Sequence, residues 1–131
     1  MDKERAKALE AAAVDSAKHG IYALLLLNGS ACIAVLAFLA NAIGYRDLHW
    51  SEVQLVRGAM RSLPWFAGGA GLAVFCSFFA YYANQQYANE FYKSGSWPWG
   101  KILNIAGGVV AFLALIGFGV GVFQIWTAMP T

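Results

Sequence analysis

The histidines and cysteines of this 131-residue sequence have the clearest capacity for chemistry, because imidazole and thiolate groups bind zinc and haem iron. There are two of each, namely His19, His49, Cys32 and Cys76. No Cys-x-x-Cys or His-Cys cluster is present, and the two histidines flank a long uncharged stretch. The sequence therefore predicts neither a metal centre nor a haem site within one chain, and both cysteines are expected to pack as small apolar side chains.

Motifs for catalysis are also missing from the sequence. It contains no serine nucleophile elbow, no glycine-rich phosphate loop after a strand and no paired carboxylates. A proton relay or an ion-coupled transporter would need ionisable residues at depth in a membrane, and the long apolar stretches carry none. We therefore expect a non-catalytic protein without a cofactor.

Three long stretches without a charged residue dominate the sequence: Gly20 to Tyr45, Ser62 to Asn89, and Ile102 to Thr131. About twenty apolar residues cross a bilayer as a helix, and lipid cannot satisfy a backbone that is not helical. A composition of 60% hydrophobic and 12% charged residues agrees with this assignment. The predicted fold is one all-α integral membrane domain with transmembrane helices over 20–45, 63–89 and 102–127.

The residues before the first span predict an amphipathic helix over 2–18, because they are rich in alanine and free of proline and glycine. This helix is expected to continue directly into the first span. Ala40 to Ala42 fit the small-x-small rule for signal peptidase, but acidic residues such as Asp2 and Glu4 precede the apolar run. An uncut first helix that anchors the chain is the prediction.

The first connection predicts a short interfacial helix over 51–62. A capping-box sequence begins at Ser51, and Pro64 is expected to end the helix. Arg57 and Arg61 share one face, while apolar residues recur at helical spacing on another. A connector that lies on the membrane surface is the expected role, and a site for a lipid head group or another ligand on the two arginines is the alternative. The second connection, Lys93 to Lys101, predicts a tight turn between helices.

Small residues recur three and four positions apart along each span, which lets helix backbones approach closely in lipid. These stripes are expected to face one another and to pack the three helices within one chain, and Gly117 with Gly121 forms a GxxxG pair. The predicted packing or interaction residues are Asn28, Ser30, Ala34, Ala37, Asn41, Gly69, Ala73, Gly107, Ala111, Gly117 and Gly121.

Asn28 and Cys32 lie on the side of the first span opposite its small residues. An amide at this depth needs a hydrogen-bond partner, so this side predicts a second interaction surface. Homo-oligomerisation, or docking onto a larger membrane complex, follows as a hypothesis.

Basic residues predict the orientation of the chain. Lys3, Arg5, Lys7, Lys18, Lys93 and Lys101 fall on one side of the membrane, and Arg46, Arg57 and Arg61 fall on the other. The positive-inside rule then favours a cytoplasmic N-terminus and an external C-terminus, and a bacterial inner (plasma) membrane is the expected location. A net charge of +2 with scattered basic residues argues against nucleic acid as a partner.

Two functions remain open at this stage. The first is an accessory or scaffold subunit of a membrane assembly or homo-oligomer, which acts through helix association and contacts membrane lipid. The second is an oligomer that permeabilises the membrane. In size and three-pass layout the chain loosely resembles phage holins, although its C-terminal segment Trp126–Thr131 is uncharged where such holins carry a basic tail.

Overall fold

A computed structural model of the protein describes residues 2–44, 49–92 and 99–129. Over these ranges the chain forms three α-helices: α1 (Asp2–Ile43), α2 (Trp50–Tyr92) and α3 (Trp99–Trp126). Each helix contains a segment long and apolar enough to cross a membrane: Ala11–Ala42, Glu52–Gln86 and Gly100–Trp126. The prediction of three apolar helices is confirmed, and it supports a multi-pass membrane protein. The predicted turn at 93–101 lies mostly outside the described residues.

The first helix is a single element of 42 residues, with no break between the predicted extension over 2–18 and the first span. Gly20, between the two segments, has open space around its Cα atom, so packing against another helix does not force a bend there. At 1.5 Å per residue, α1 is about 63 Å long, which is about twice the thickness of a bilayer core. Since α2 has 43 residues and α3 has 28, α1 and α2 both extend well past the start of α3.

The structure corrects the prediction of a separate interfacial helix over 51–62, because α2 continues through Pro64. The N-cap also lies two residues earlier than the capping box predicted at Ser51. His49 precedes the first helical residue, and its backbone N–H donates to the Glu52 carboxylate at 2.8 Å. This is the contact that an N3 glutamate makes with the N-cap residue.

Packing explains why α2 stays continuous. Gly58, Ala59 and Ser62 are buried, and the Cα atom of Gly58 faces the Ala128 side chain beyond the end of α3. Proline has no N–H group, so one helical hydrogen bond is lost, a defect that membrane helices tolerate when neighbouring groups compensate. The carbonyl that lacks a helical donor is that of Met60, an exposed residue, and the buried Ser62 hydroxyl is satisfied by donating to the Ala59 carbonyl at 2.8 Å. The segment before Pro64 is thus part of the bundle.

The second helix is central to the bundle, because α1 and α3 each pack mainly on α2 and only briefly on each other. Val35 and Leu39 of α1 form a buried cluster with Ala59 and Phe66 of α2. The Phe66 ring also lies 5.7 Å from the ring of Phe118 in α3, measured between centroids. Phe66 therefore joins the two halves of the core.

All three helices meet at one level of the bundle. There Asn28 of α1 contacts Gly69 of α2 and Ala114 of α3. Each of these residues lies within two positions of the middle of its membrane-spanning segment. The junction of Asn28, Gly69 and Ala114, called here the central junction, consequently falls near the midplane of a bilayer that the three segments cross.

A distance between two spin labels on α2 tests its continuity. Labels replace the exposed residues Glu52 and Phe75 in a chain whose Cys32 and Cys76 are alanine. A continuous helix separates these positions by about 35 Å, since each residue adds 1.5 Å. Pulsed electron paramagnetic resonance in lipid vesicles should give this distance. A helix that turned into the membrane plane before Pro64 would give about 25 Å and contradict the fold.

Candidate helix-association site

Asn28 is fully buried at the central junction, and its amide group connects two helices. Its Nδ2 atom donates to the Leu24 carbonyl of the same helix at 3.0 Å and lies 3.5 Å from the Ala114 carbonyl of α3. A polar side chain in hydrocarbon is costly unless it finds such partners. Asn28 therefore fixes the rotation of α1 against α2 and α3.

The amide oxygen of Asn28 is directed at Gly69. Within the described residues this Oδ1 atom has no hydrogen-bond donor in reach, and a Cβ atom at position 69 would overlap it. The same Cβ would lie 3.1 Å from the Ala114 carbonyl oxygen. Only glycine leaves room for both groups, and its Cα–H bonds offer the oxygen a weak contact. Gly69 thus makes the central junction possible.

Small residues of α2 and α3 face each other in the bundle. Ala73, Ala114, Gly117 and Gly121 are buried along this contact, while Gly107 and Ala111 are half-buried. A Cβ atom at position 117 would lie 3.2 Å from the Trp65 carbonyl oxygen, and one at position 121 would overlap the Phe66 ring. The GxxxG pair is therefore occupied by α2 of the same chain.

The structure reverses the predicted faces of α1. Asn28 and Cys32, which were assigned to a surface for another chain, lie on the side of α1 that packs against the bundle. The small residues that were assigned to the core face away from it and are exposed: Ser30, Ala34, Ala37 and Asn41. The Asn41 side-chain amide donates a hydrogen bond to the Ala37 carbonyl of its own helix at 3.0 Å.

The reversal has a packing reason. With 3.6 residues per turn, positions 28, 35, 39 and 42 share one side of α1, and positions 30, 34, 37 and 41 lie about half a turn away. Val35 and Leu39 fill the space beside Ala59 and Phe66, so α1 packs through medium-sized side chains. A prediction based on small residues omits these core residues. In the sequence, they are indicated by the helical spacing that places Val35 and Leu39 on the same side of α1 as Asn28.

His19 and Cys76 each donate a hydrogen bond to a backbone carbonyl group. His19 donates through Nδ1–H to the Asp15 carbonyl oxygen at 2.8 Å, on the exposed part of α1. Cys32 and Cys76 are free, and the Cys76 thiol donates to the Gly107 carbonyl at 3.4 Å. Among the described residues, no three His, Cys, Asp or Glu side chains lie close enough together to hold a metal ion.

A cleft of about 390 Å³ opens where α1 passes the C-terminal part of α2 and the start of α3. Tyr22 and Tyr81 line it together with small apolar residues, and Lys18 is the one charged residue among its described lining residues. Asn84 and Asn104, which extend the small-residue stripes in the sequence, are exposed in this cleft. The helices are thus closely packed at the central junction and separate toward this end.

Comparison with known proteins identifies no relative of this chain. The sequence matches no protein-family model, and neither the curated proteins nor the solved structures contain a significant match to it. The functional argument therefore rests on the arrangement of the three helices.

Two glycine substitutions on α2 test the central junction. Gly69→Ala should lower the free energy of unfolding by about 1–3 kcal/mol, because the added methyl group overlaps the Asn28 amide. Gly68→Ala is the matched control, since position 68 has open space, and it should be neutral or stabilising by up to about 1 kcal/mol. Thermal unfolding in detergent measures both. Equal effects of the two substitutions would contradict the close approach of α1 and α2.

Two asparagine substitutions on α1 test the assignment of its faces. Asn28→Ala should reduce the free energy of unfolding by about 1–2 kcal/mol, because it removes the buried bridge to α3. Asn41→Ala should change it by less than about 0.5 kcal/mol, because that amide is exposed and bonds to its own helix. Unfolding of the two variants in the same detergent gives the comparison. A larger loss of unfolding free energy for Asn41→Ala than for Asn28→Ala would contradict this assignment and support the faces predicted from the sequence.

Proposed function

We propose that this protein is a non-catalytic membrane component that acts through helix association, as a homo-oligomer or as an accessory or scaffold subunit of a larger membrane assembly. One observation carries the proposal. The face of α1 that points away from the bundle, formed by Ser30, Ala34, Ala37 and Asn41 and called here the outer face of α1, is exposed and lined by small residues.

The chemistry of the outer face suits a second membrane helix. Lipid tails are as apolar as leucine, so helices in a bilayer associate through close van der Waals contact and hydrogen bonds. Small residues at spacings of four, as in Ser30 with Ala34 and Ala37 with Asn41, allow that contact. The Ser30 hydroxyl and the Asn41 amide can also bond to a partner helix.

The outer face runs through one half of the membrane. Ser30 lies next to the level of the central junction, and Asn41 lies about 17 Å further along α1. Leu26 and Ile33 border the small residues on one side and are 68% and 69% exposed, so they can pack beside a partner helix. A second copy of α1 would present the same shallow groove and the same flanking side chains.

The exposed sides of the other two helices favour association over permeabilisation. Phe75 and Phe78 of α2 and Val109 and Phe112 of α3 all have more than half of their side-chain surface exposed, and all are apolar. A water-filled pore needs polar groups along such faces. Contact with lipid tails is the role that suits them, while the uncharged stretches 20–45, 62–89 and 102–131 supply no ionic group for catalysis.

Charge supports an orientation for the assembly. We place the N-terminus of α1 in the cytoplasm and the end of α3 outside, in a bacterial inner membrane, since six of the nine basic residues then lie on the cytoplasmic side. Three crossings put the two ends of the chain on opposite sides. The long N-terminal part of α1 would then be available to cytoplasmic partners.

Substitutions on the outer face test the proposed association. Ala34→Leu combined with Ala37→Leu should weaken self-association by about tenfold or more, because the larger side chains keep a second helix at a distance. Energy transfer between donor-labelled and acceptor-labelled chains, measured as vesicles are diluted with lipid, reports the association constant.

The control is Ala67→Leu, which makes the same change at an exposed alanine of α2. It should leave both the association constant and the unfolding temperature unchanged. Equal energy transfer in all three proteins would contradict a homo-oligomer built on the outer face. A membrane-potential dye read during expression tests the permeabilising function, and a loss of potential that survives the alanine-to-leucine changes would count against association as the function.

A further inference from the structure

A second cavity, of about 210 Å³, lies at the opposite end of the bundle from the cleft beside Lys18. It forms where the first turns of α2 pass the C-terminal end of α3. Arg57 and Arg61 of α2 line it together with Gln54, and α3 and the turn that follows it contribute Gln124 and Thr127. Two positive charges and several polar groups therefore surround one small space.

The depth of this cavity matches the phosphate layer of a membrane. Measured along α2 from Gly69 at the central junction, Arg61 is about 12 Å and Arg57 about 18 Å away. The hydrocarbon of a bilayer extends about 15 Å from its midplane, so the two guanidinium groups bracket its boundary. Trp126, which is 66% exposed, lies at a similar depth on α3 and suits the same interface.

The two arginines lack a negative counterpart in the part of the chain that the structure describes. No carboxylate there lies within 4 Å of either guanidinium group, and the nearby Glu52 carboxylate accepts from the His49 backbone N–H at 2.8 Å. Like charges four residues apart on a helix repel each other. An anion between Arg57 and Arg61 would remove this repulsion.

The end of α3 does not require the arginines for its own backbone. The Thr127 N–H donates to the Phe123 carbonyl at 3.0 Å, and the next two N–H groups donate to the carbonyls of Ile125 and Trp126 at 3.1 and 3.2 Å. These bonds satisfy the carbonyl groups of Phe123, Ile125 and Trp126, and the Thr127 hydroxyl lies 3.3 Å from the Gln124 carbonyl oxygen, so no terminal carbonyl of α3 depends on a basic side chain. Both guanidinium groups are therefore available to a ligand.

We infer that this cavity binds the phosphate group of an anionic phospholipid. Arg57 and Arg61 hold the phosphate oxygens by charge-assisted hydrogen bonds, for which the guanidinium group is well shaped. The head group occupies the space beside Gln54 and Thr127, and the acyl chains extend along the bundle past the exposed side chain of Met60. This inference is independent of the association of α1.

Native mass spectrometry of the protein in a non-ionic detergent tests the inference, with phosphatidylglycerol as the probe. The protein should bind one phosphatidylglycerol molecule with preference, and Arg57→Gln combined with Arg61→Gln should weaken that binding by about tenfold or more. Arg57→Lys combined with Arg61→Lys keeps the charge and should retain part of the affinity. Arg5→Gln removes an exposed arginine at the far end of α1 and should have no effect.

The same experiment distinguishes the phosphate group of a lipid from free inorganic phosphate as the bound ligand. Diacylglycerol, which has the acyl chains but no phosphate, should not compete, and an equimolar amount of inorganic phosphate should not displace the bound lipid. Three results would overturn the inference: unchanged binding by the double glutamine variant, an equal loss with Arg5→Gln, or displacement by inorganic phosphate, which would identify a site for a free anion.

Discussion

Hydrogen bonding in a medium without water is the constraint on which this structure depends. Hydrocarbon offers no partner to a peptide group or an amide, so each must be satisfied within the protein. The backbone meets this requirement as three long helices. The Asn28 amide nitrogen meets it by donating to Leu24 and approaching Ala114, while the amide oxygen faces the Cα–H bonds of Gly69. Gly69 is needed opposite Asn28 because any larger residue would displace the amide. One polar group near the midplane thereby sets the rotation of α1 and the distances between all three helices.

The sequence was sufficient for the helices because the absence of charge over three long stretches is a strong signal. It was misleading at Pro64, which ends helices in water but lies inside α2, where Gly58, Ala59 and Ser62 pack against the bundle. Small residues line the contact of α2 with α3, where Gly117 approaches the Trp65 backbone and Gly121 the Phe66 ring. The faces of α1 were exchanged, because residue size alone does not show whether a helix packs through alanine or through Val35 and Leu39.

The two sides of α1 connect the fold to the proposed function. Its inner side is used fully by the chain itself, through Asn28 and the cluster around Phe66. Its outer side carries small residues without a partner in the described part of the chain, at spacings that favour close helix contact. Arg57 and Arg61 of α2, which lie beside the end of α3, are proposed to add a contact with lipid at one membrane surface. The proposed association and the proposed lipid contact thus use different parts of the bundle, and none of its buried residues in the described ranges is ionic.

The central claim is that Asn28 holds the three helices of one chain together inside the bilayer. Solid-state nuclear magnetic resonance in lipid bilayers tests it with chains labelled in both nitrogen and carbon and diluted into unlabelled chains. Transfer from the Asn28 side-chain nitrogen to the Ala114 carbonyl carbon should persist at full relative intensity after dilution, because the contact lies within one molecule. Loss of this signal on dilution would place the contact between chains and contradict the account.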